Sequence, residues 1–400
     1  MRSRTDYIVT KDEVHGYANH WLGSALKLEY EGRQCNASTL LQILLIAAAR
    51  MASVFAVCRD LADAPCDQTI RNALGEALPD IRELERRLNR SLVTKLPKAL
   101  FRKSRRIAID LTLIPYHGQP HVDAKEIYRS GPKSGTTHFH AYATAAVVHK
   151  GHRHTLALTP VEQGEKMKQV VQRLMTIIRR QQVKVRFLLL DKGFFSVEVI
   201  SYLKRAGLGF IIPAMVRGRK PKYGKQPSGL RSLQHKKNGY YRYTHKGKVD
   251  GKDRSAEVTI CVASKRYTHR KSGKRRTKKL MFAIWKVRQL PKDIRETYRT
   301  RFGIETSYRQ MNEARIKTCT RNPALRLLFV GIALVLRNVW VWLHFKLAKG
   351  KWDEEPQLFL ELLRFREMLL WISQIVGRLH GADQIQGIDR ATYERATAKV

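Results

Sequence analysis

Acidic residues are scarce in this 400-residue chain. Only 34 Asp and Glu stand against 76 Lys and Arg, a formal net charge of +42. Such an imbalance says nothing about fold, but it points to a polyanionic partner. The basic residues run through the whole chain and do not flank a lipid-facing helix, which favours nucleic acid over a membrane surface. Cysteine is also sparse. Cys35, Cys58, Cys66, Cys261 and Cys319 are scattered, odd in number and without CxxC spacing, so reduced cytosolic thiols are expected rather than a disulfide or zinc framework. There is no Gly-rich phosphate loop, which argues against a nucleotide cofactor, and no nucleophile elbow, which argues against a serine triad. The first residues, MRSRTDYIVTKDEVHGYANHW, lack the apolar core of a signal peptide. The one long apolar run, LLFVGIALVLRNVWVWLHF at 327–345, is interrupted by Arg337 and Asn338. A buried core helix is the better reading than a membrane span.

What is present suggests two or three domains with a sizeable core, since 43% of residues are hydrophobic. Residues 38–62, STLLQILLIAAARMASVFAVCRDLA, carry apolar positions at helical spacing, with Ser38 as N-cap. A turn with Pro65 follows, then a helix capped by Asp67 that presents Gln68, Arg71 and Asn72. This pattern fits a helix-turn-helix with Arg71 on DNA, or equally two packed core helices. From 105 the pattern changes to strands: RRIAIDLTLIPY, THFHAYATAAVVH and RHTLALTPVE. A helix at 166–182, the strand VKVRFLLLDKGFFS, a helix ended by Gly207 and the strand GFIIPAMV complete a mixed α/β core.

Residues 217–288 hold 24 Lys and Arg but only three acids, a net of +21. Three strands are expected there (GYYRYTH, SAEVTICVA and LMFAIWKV), with Asp250-Gly251 turning the first hairpin. The acids that balance an ordinary solvated face are missing, so nucleic-acid contact is favoured. After this basic β-rich insertion the chain returns to helices: one starting at Pro291, an apolar one at 325–346 and an amphipathic one at 356–380.

Three carboxylates stand out. Asp110 lies inside the apolar strand IAIDLTLI, where a charge is costly unless paired or bound to a metal. Asp191 ends FLLLDKG, where an α/β sheet offers its ligand crevice. Glu305 is on a helix face with Tyr298, Arg301, Tyr308, Arg309 and Asn312. A carboxylate trio suits two Mg²⁺ (or Mn²⁺) ions, which activate the attacking oxygen and stabilise the leaving one in phosphodiester cleavage. Arginines around Glu305 would then hold DNA phosphates.

On these residues the chain resembles the DDE transposases of bacterial insertion sequences. YRTRFGIE matches the Y-x2-R-x3-E part of their Y-x2-R-x3-E-x6-K signature, at Tyr298, Arg301 and Glu305. AIDLTLIPYHG and LLLDKGFFS resemble the first- and second-Asp strands. Where the signature has Lys this chain has Asn312, with Arg315 and Lys317 just beyond. The resemblance implies an RNase H-like core interrupted by a β-rich insertion, catalytic and metal-holding roles for Asp110, Asp191 and Glu305, and DNA contacts from Tyr298, Arg301, Tyr308, Arg309, Asn312 and Lys317. It also implies double-stranded DNA as partner, a homodimer or larger synaptic complex, and a prokaryotic, cytoplasmic, nucleoid-associated protein. The expected division is a helical DNA-binding region at 1–100, core at 101–216, insertion at 217–290, core with the Glu helix at 291–346, and a C-terminal helical region at 347–400.

Some features stay open. Seven of the 14 histidines fall between 117 and 154; His138 and His140 share a strand face, so a zinc pair is conceivable beside the simpler role of polar strand positions. Trp285, Tyr240 and Tyr241 are packing residues or, as the resemblance implies, candidates for the insertion aromatic on which a flipped base stacks. The rival functions are a catalytically silent DNA-binding descendant of a transposase and an RNase H-like nuclease without strand transfer.

Overall fold

The computed structural model describes residues 9–97, 99–119, 124–148, 153–220, 226–269, 272–347, 360 and 363–382. By backbone proximity the chain divides into two compact units. One comprises Met1–Ser91, Gln310–Trp340 and Phe359–Val400; the other comprises Leu92–Arg309 and Val341–Leu358.

The first unit is helical. It contains α1 (Lys11–Leu26), α2 (Ala37–Arg50), α3 (Val54–Asp60), α4 (Asp67–Ala77) and most of α5 (Ile81–Val93), followed much later in sequence by most of α11 (Pro323–Leu347) and by α12 (Phe365–Leu379). The run expected as one helix over 38–62 is two. Met51 adopts a left-handed φ of 53°, Ser53 caps α3, and the two helices bend by 102°. The cap of α2 is Asn36, two residues before Ser38, its side chain accepting from the Thr39 amide. On α4, Ile70, Ala73, Leu74 and Ala77 are buried while Gln68, Arg71 and Asn72 face outward. In α11, Leu327 through Val341 are buried, Arg337 and Asn338 included; Arg337 Nε donates to Gln310 at 3.0 Å. By length and composition this helix could cross a membrane, and its burial is that of a core helix, as the interrupting Arg and Asn suggested. The first part of the helix expected at 356–380 lies outside the described residues.

The second unit is built on one mixed sheet. Its strands are β1 (Arg105–Pro115), β2 (Tyr128–Lys133), β3 (Thr136–Val147), β4 (Thr155–Val161), β5 (Val185–Leu190), β6 (Phe210–Pro213), β7 (Gly239–Val249), β8 (Lys252–Thr268) and β9 (Arg275–Trp285). They run in the order β2-β3-β1-β5-β6-β9-β8-β7, with β4 beside the far half of β3. The β1–β5 and β5–β6 pairs are parallel. Each is joined by a crossover helix, α7 (Met167–Arg180) before β5 and α8 (Val197–Arg205) between β5 and β6. The three basic strands are therefore no separate sheet: β9 pairs antiparallel with β6, Phe210 opposite Trp285, and the insertion lengthens the core. Asp250 and Gly251 take left-handed φ of 51° and 76°, the two-residue turn that fits a twisted hairpin.

Strand alternation gives the sheet two apolar faces. Ile107, Ile109, Leu188 and Leu190 point to one side with α7 and α8; Ala108, Phe187 and Leu189 point to the other. The second side is covered by Ile294 and Tyr298 of α9 (Pro291–Arg299) and by Ile304 and Tyr308 of α10 (Gly303–Glu313). Each buried large aliphatic side chain contributes about 1.5–3 kcal/mol.

Candidate active site

Two parallel strands place the aspartates together before any helix is considered. Ile109 of β1 is in register with Leu190 of β5, so Asp110 and Asp191 follow side by side, on adjacent strands about 4.8 Å apart. Both continue the face occupied by Ala108 and Leu189, which is the face that α9 and α10 cover.

The expected single helix over 291–316 is broken by a tight turn at Thr300–Phe302. That turn carries Arg301 inward. Its side chain is 5% exposed, and its guanidinium meets all three carboxylates: Nη1 donates to Asp110 Oδ2 at 2.8 Å, and Nη2 lies 3.2 Å from Glu305 Oε1 and 3.5 Å from Asp191 Oδ1. The rings of Tyr298 and Phe302 lie 5.5 and 5.4 Å from its central carbon, a cation–π environment. Arg301 Nε is buried with no partner among the described residues.

The two tyrosines fasten these helices to the strand ends. Tyr298 donates its hydroxyl to the Leu190 carbonyl at 3.2 Å, one residue before Asp191. Tyr308 donates to the Asp110 carbonyl at 3.0 Å and shares a 2.7 Å hydrogen bond with Thr144 Oγ1, on the strand position paired with Asp110. Burial raises the pKa of both phenols, so they stay protonated donors.

Three carboxylates share one guanidinium at the site. Burial pushes Asp110 up to about 6, with Asp191 adding to the rise and Arg301 opposing it. For Arg301, burial works against the charge, but Tyr298 and the three carboxylates outweigh it and hold the guanidinium above its usual range. Asp110 is the most enclosed carboxylate at 14% side-chain exposure; Asp191 and Glu305 are open at 34% and 48%.

The positions expected to meet DNA separate into two groups. Tyr298, Arg301 and Tyr308 are buried and turned toward the sheet, so the phosphate-contact role read from the helix face is corrected to an inward one. Arg309, Asn312 and Lys317 are exposed, Asn312 Oδ1 accepting from Arg315 Nε at 3.4 Å. Arg71 is exposed on α4 and paired with Asp67. Trp285 is half-buried against the core, with Lys286 Nζ 4.6 Å over its ring. Tyr240 is exposed, its hydroxyl donating to Gln289 O, and Tyr241 is half-buried and donates to Lys237 O. His140 is buried edge-on to Tyr116. Among the described residues no three His, Cys, Asp or Glu already stand as a metal cluster; the three carboxylates are bridged instead by the Arg301 guanidinium. Two contributors were not read from sequence. Thr144 had one available signal, a polar residue alternating onto the Asp110 side of AYATAAVV. Arg153 had none; its guanidinium lies where a Cβ on residue 303 would stand, so any larger residue there requires the Arg153 side chain to swing aside.

A family model for the transposase DDE domain matches residues 101–338. That is more than half of the chain, and the chain belongs to the transposase DDE domain family. A cryo-EM structure of the piggyBac transposase synaptic complex with hairpin DNA is similar in fold, with a TM-score of 0.55 and 11% identity over 96% of this chain and 82% of that one. The mixed sheet with its crossover helices is thus an RNase H-like fold. No curated protein matches in sequence.

Proposed function

We propose that this protein is a DDE transposase of the bacterial insertion-sequence group. It would cut the ends of its element by divalent-metal-dependent hydrolysis and join the exposed 3′-OH to target DNA. The observation that carries this reading is the convergence of Asp110, Asp191 and Glu305 on one guanidinium, at the edge of two parallel strands. The donor set fits Mg²⁺ or Mn²⁺, being all carboxylate oxygen, and Asp110, the most enclosed of the three, has its pKa pushed up to about 6 chiefly by burial. Asp110, Asp191 and Glu305 would hold two ions. When bound, these ions supply activation of the attacking oxygen and stabilisation of the leaving one.

The chain's own residues do the rest. Tyr298 and Tyr308 fix the two helices against the strand ends, so that Glu305 faces the two aspartates across Arg301 while staying open to solvent. Arg301 spaces the carboxylates and shares their charge. Exposed Arg309, Lys317 and Arg71 are the groups available to DNA phosphates, and Trp285 to a displaced base. The similar structure is of a synaptic complex with hairpin DNA, which supports DNA and a homodimer or larger assembly as partners here; a cytoplasmic, nucleoid-associated setting would follow from that reading.

A catalytically silent DNA-binding descendant is the second reading, favoured by Asn312 at the signature's lysine position. Cleavage of DNA bearing the element's ends, in Mg²⁺ or EDTA, separates the two. Defined 3′-OH ends released only with metal, and lost in Asp191→Ala while binding persists, support the transposase. Binding without cutting in any divalent metal leaves the silent descendant.

A further inference from the structure

A strongly basic surface separate from the carboxylates lies on a two-stranded ribbon formed by the outer halves of β8 and β9. Pairing of β7 with β8 ends at Gly239–Val262, and β6 meets β9 only at Phe282–Trp285. Beyond those points Ala263–Thr268 and Arg275–Leu280 pair only with each other among the described strands. Six residue pairs give the ribbon a length of about 20 Å. Its base is anchored: Ser264 Oγ donates to Asn238 Oδ1 at 2.7 Å, Lys279 Nζ donates to the same oxygen at 3.2 Å, and Arg295 donates to the Ser264 carbonyl at 2.9 Å.

Residues 263–280 contain no acid. Register sorts the side chains onto two faces. Lys265 opposes Lys278 and Tyr267 opposes Arg276 on one; Ser264 opposes Lys279, Arg266 opposes Thr277 and Thr268 opposes Arg275 on the other. Lys265, Arg266, Arg275, Arg276 and Lys278 are exposed, and among the described residues none has a carboxylate partner. Like charges directly opposite on a sheet destabilise it, and an isolated two-stranded ribbon is marginal to begin with. Edge protection by lysine explains a few charges. It does not explain two cationic faces and a Lys–Lys cross-strand pair with no acid nearby.

We propose that this ribbon is a duplex-DNA arm: it lies in a groove of the double helix, each basic face meeting phosphates on one side. The major groove, about 12 Å wide, admits a two-stranded ribbon, and about a dozen phosphates lie along 20 Å of duplex. The arm rests on the DNA-transposase reading and extends it to a surface separate from the carboxylate site. It adds sequence-independent affinity, with Tyr267 beside Arg276 as the aromatic element of the contact.

The test is binding of the full-length protein to a random-sequence 30-base-pair duplex, by fluorescence anisotropy across a NaCl series. The quadruple variant Lys265→Gln, Arg266→Gln, Arg275→Gln, Lys278→Gln should bind at least tenfold more weakly at constant salt. Its slope of log affinity against log salt should fall by about 3–4, near 0.9 for each lost phosphate contact. Lys265→Glu gives an independent check. It places an acid opposite Lys278, so the melting temperature should hold or rise while DNA affinity falls several-fold. Wild-type affinity and slope in both variants would overturn the arm; if the wild type also cuts end-bearing DNA with Mg²⁺, the functional reading survives that loss. A wild type that shows no salt-dependent binding to duplex DNA sinks both.

Discussion

Removing Arg301 tests how the site holds together without metal. Its guanidinium is the one group in contact with all three carboxylates, at 2.8, 3.2 and 3.5 Å, and its side chain is 5% exposed. Breaking a buried ion pair by deleting one partner costs about 3–5 kcal/mol, because the other charge stays buried. Asp110, at 14% exposure, bears that cost in full. Asp191 and Glu305, at 34% and 48%, are screened, and pairs of that kind contribute only about 0–1 kcal/mol. Arg301→Ala should therefore lose about 3 kcal/mol in EDTA, which in a unit of this size lowers the melting temperature by about 6–12 °C. Adding Mg²⁺ should recover part of the loss, since a ligand that binds only the folded state stabilises it by mass action. In an Asp110→Asn background the same substitution should cost under about 1 kcal/mol, because the charge left stranded is gone. Calorimetry on the four proteins of this cycle decides the matter. Equal cost in both backgrounds, or no response to Mg²⁺, would refute the reasoning.

Three further outcomes follow from the same geometry. Tyr308→Phe leaves the buried Thr144 hydroxyl and Asp110 carbonyl without their shared partner; it should cost about 1–3 kcal/mol in denaturant unfolding and slow cleavage more than it weakens DNA binding. Gly303→Ala places a methyl where the Arg153 guanidinium lies; because that flexible side chain can swing aside, the loss should stay within about 1 kcal/mol and vanish in the Arg153→Ala background, as thermal melts of the single and double variants will show. His245, stacked 4.3 Å from Phe195, is held below its usual pKa by burial and then by Arg217. Because the folded value lies below the unfolded one, its contribution is intact above about pH 6.5 and is lost as the pH falls toward the folded value. The drop in melting temperature between pH 7.5 and 5.5 should be smaller in His245→Phe.

The aspartates were legible because their reason is local. A charge inside IAIDLTLI and another at the end of FLLLDKG are anomalies in apolar strands, and parallel pairing makes them neighbours once the two strands are adjacent. The insertion's strands and its Asp250-Gly251 turn were legible for the same reason, resting on alternation and turn chemistry. Their attachment was not. Pairing of β9 to β6 joins residues about 70 positions apart in sequence, and an apolar strand such as LMFAIWKV carries no mark of which edge it will complete. Nor did the sequence show that the N-terminal helices and α12 form one unit.

The arginine is the instructive error. A helical wheel puts Tyr298, Arg301, Glu305 and Tyr308 on one face, but it does not say whether that face meets solvent or the sheet. In so basic a chain, outward toward phosphate was the natural reading. The deciding facts lie elsewhere in the sequence: two carboxylates on the strand ends beneath that face, and two tyrosines whose hydroxyls reach the backbone beside them. With those anchors in place, a solvent-facing Arg301 would leave Asp110 buried with no counter-charge, a larger penalty than burying the guanidinium among three acids. The motif Y-x2-R-x3-E can thus be understood as one packing unit: the tyrosine ties the helix to the second aspartate's strand, the arginine shares its charge among the trio, and the glutamate is delivered one turn later at the open side of the site.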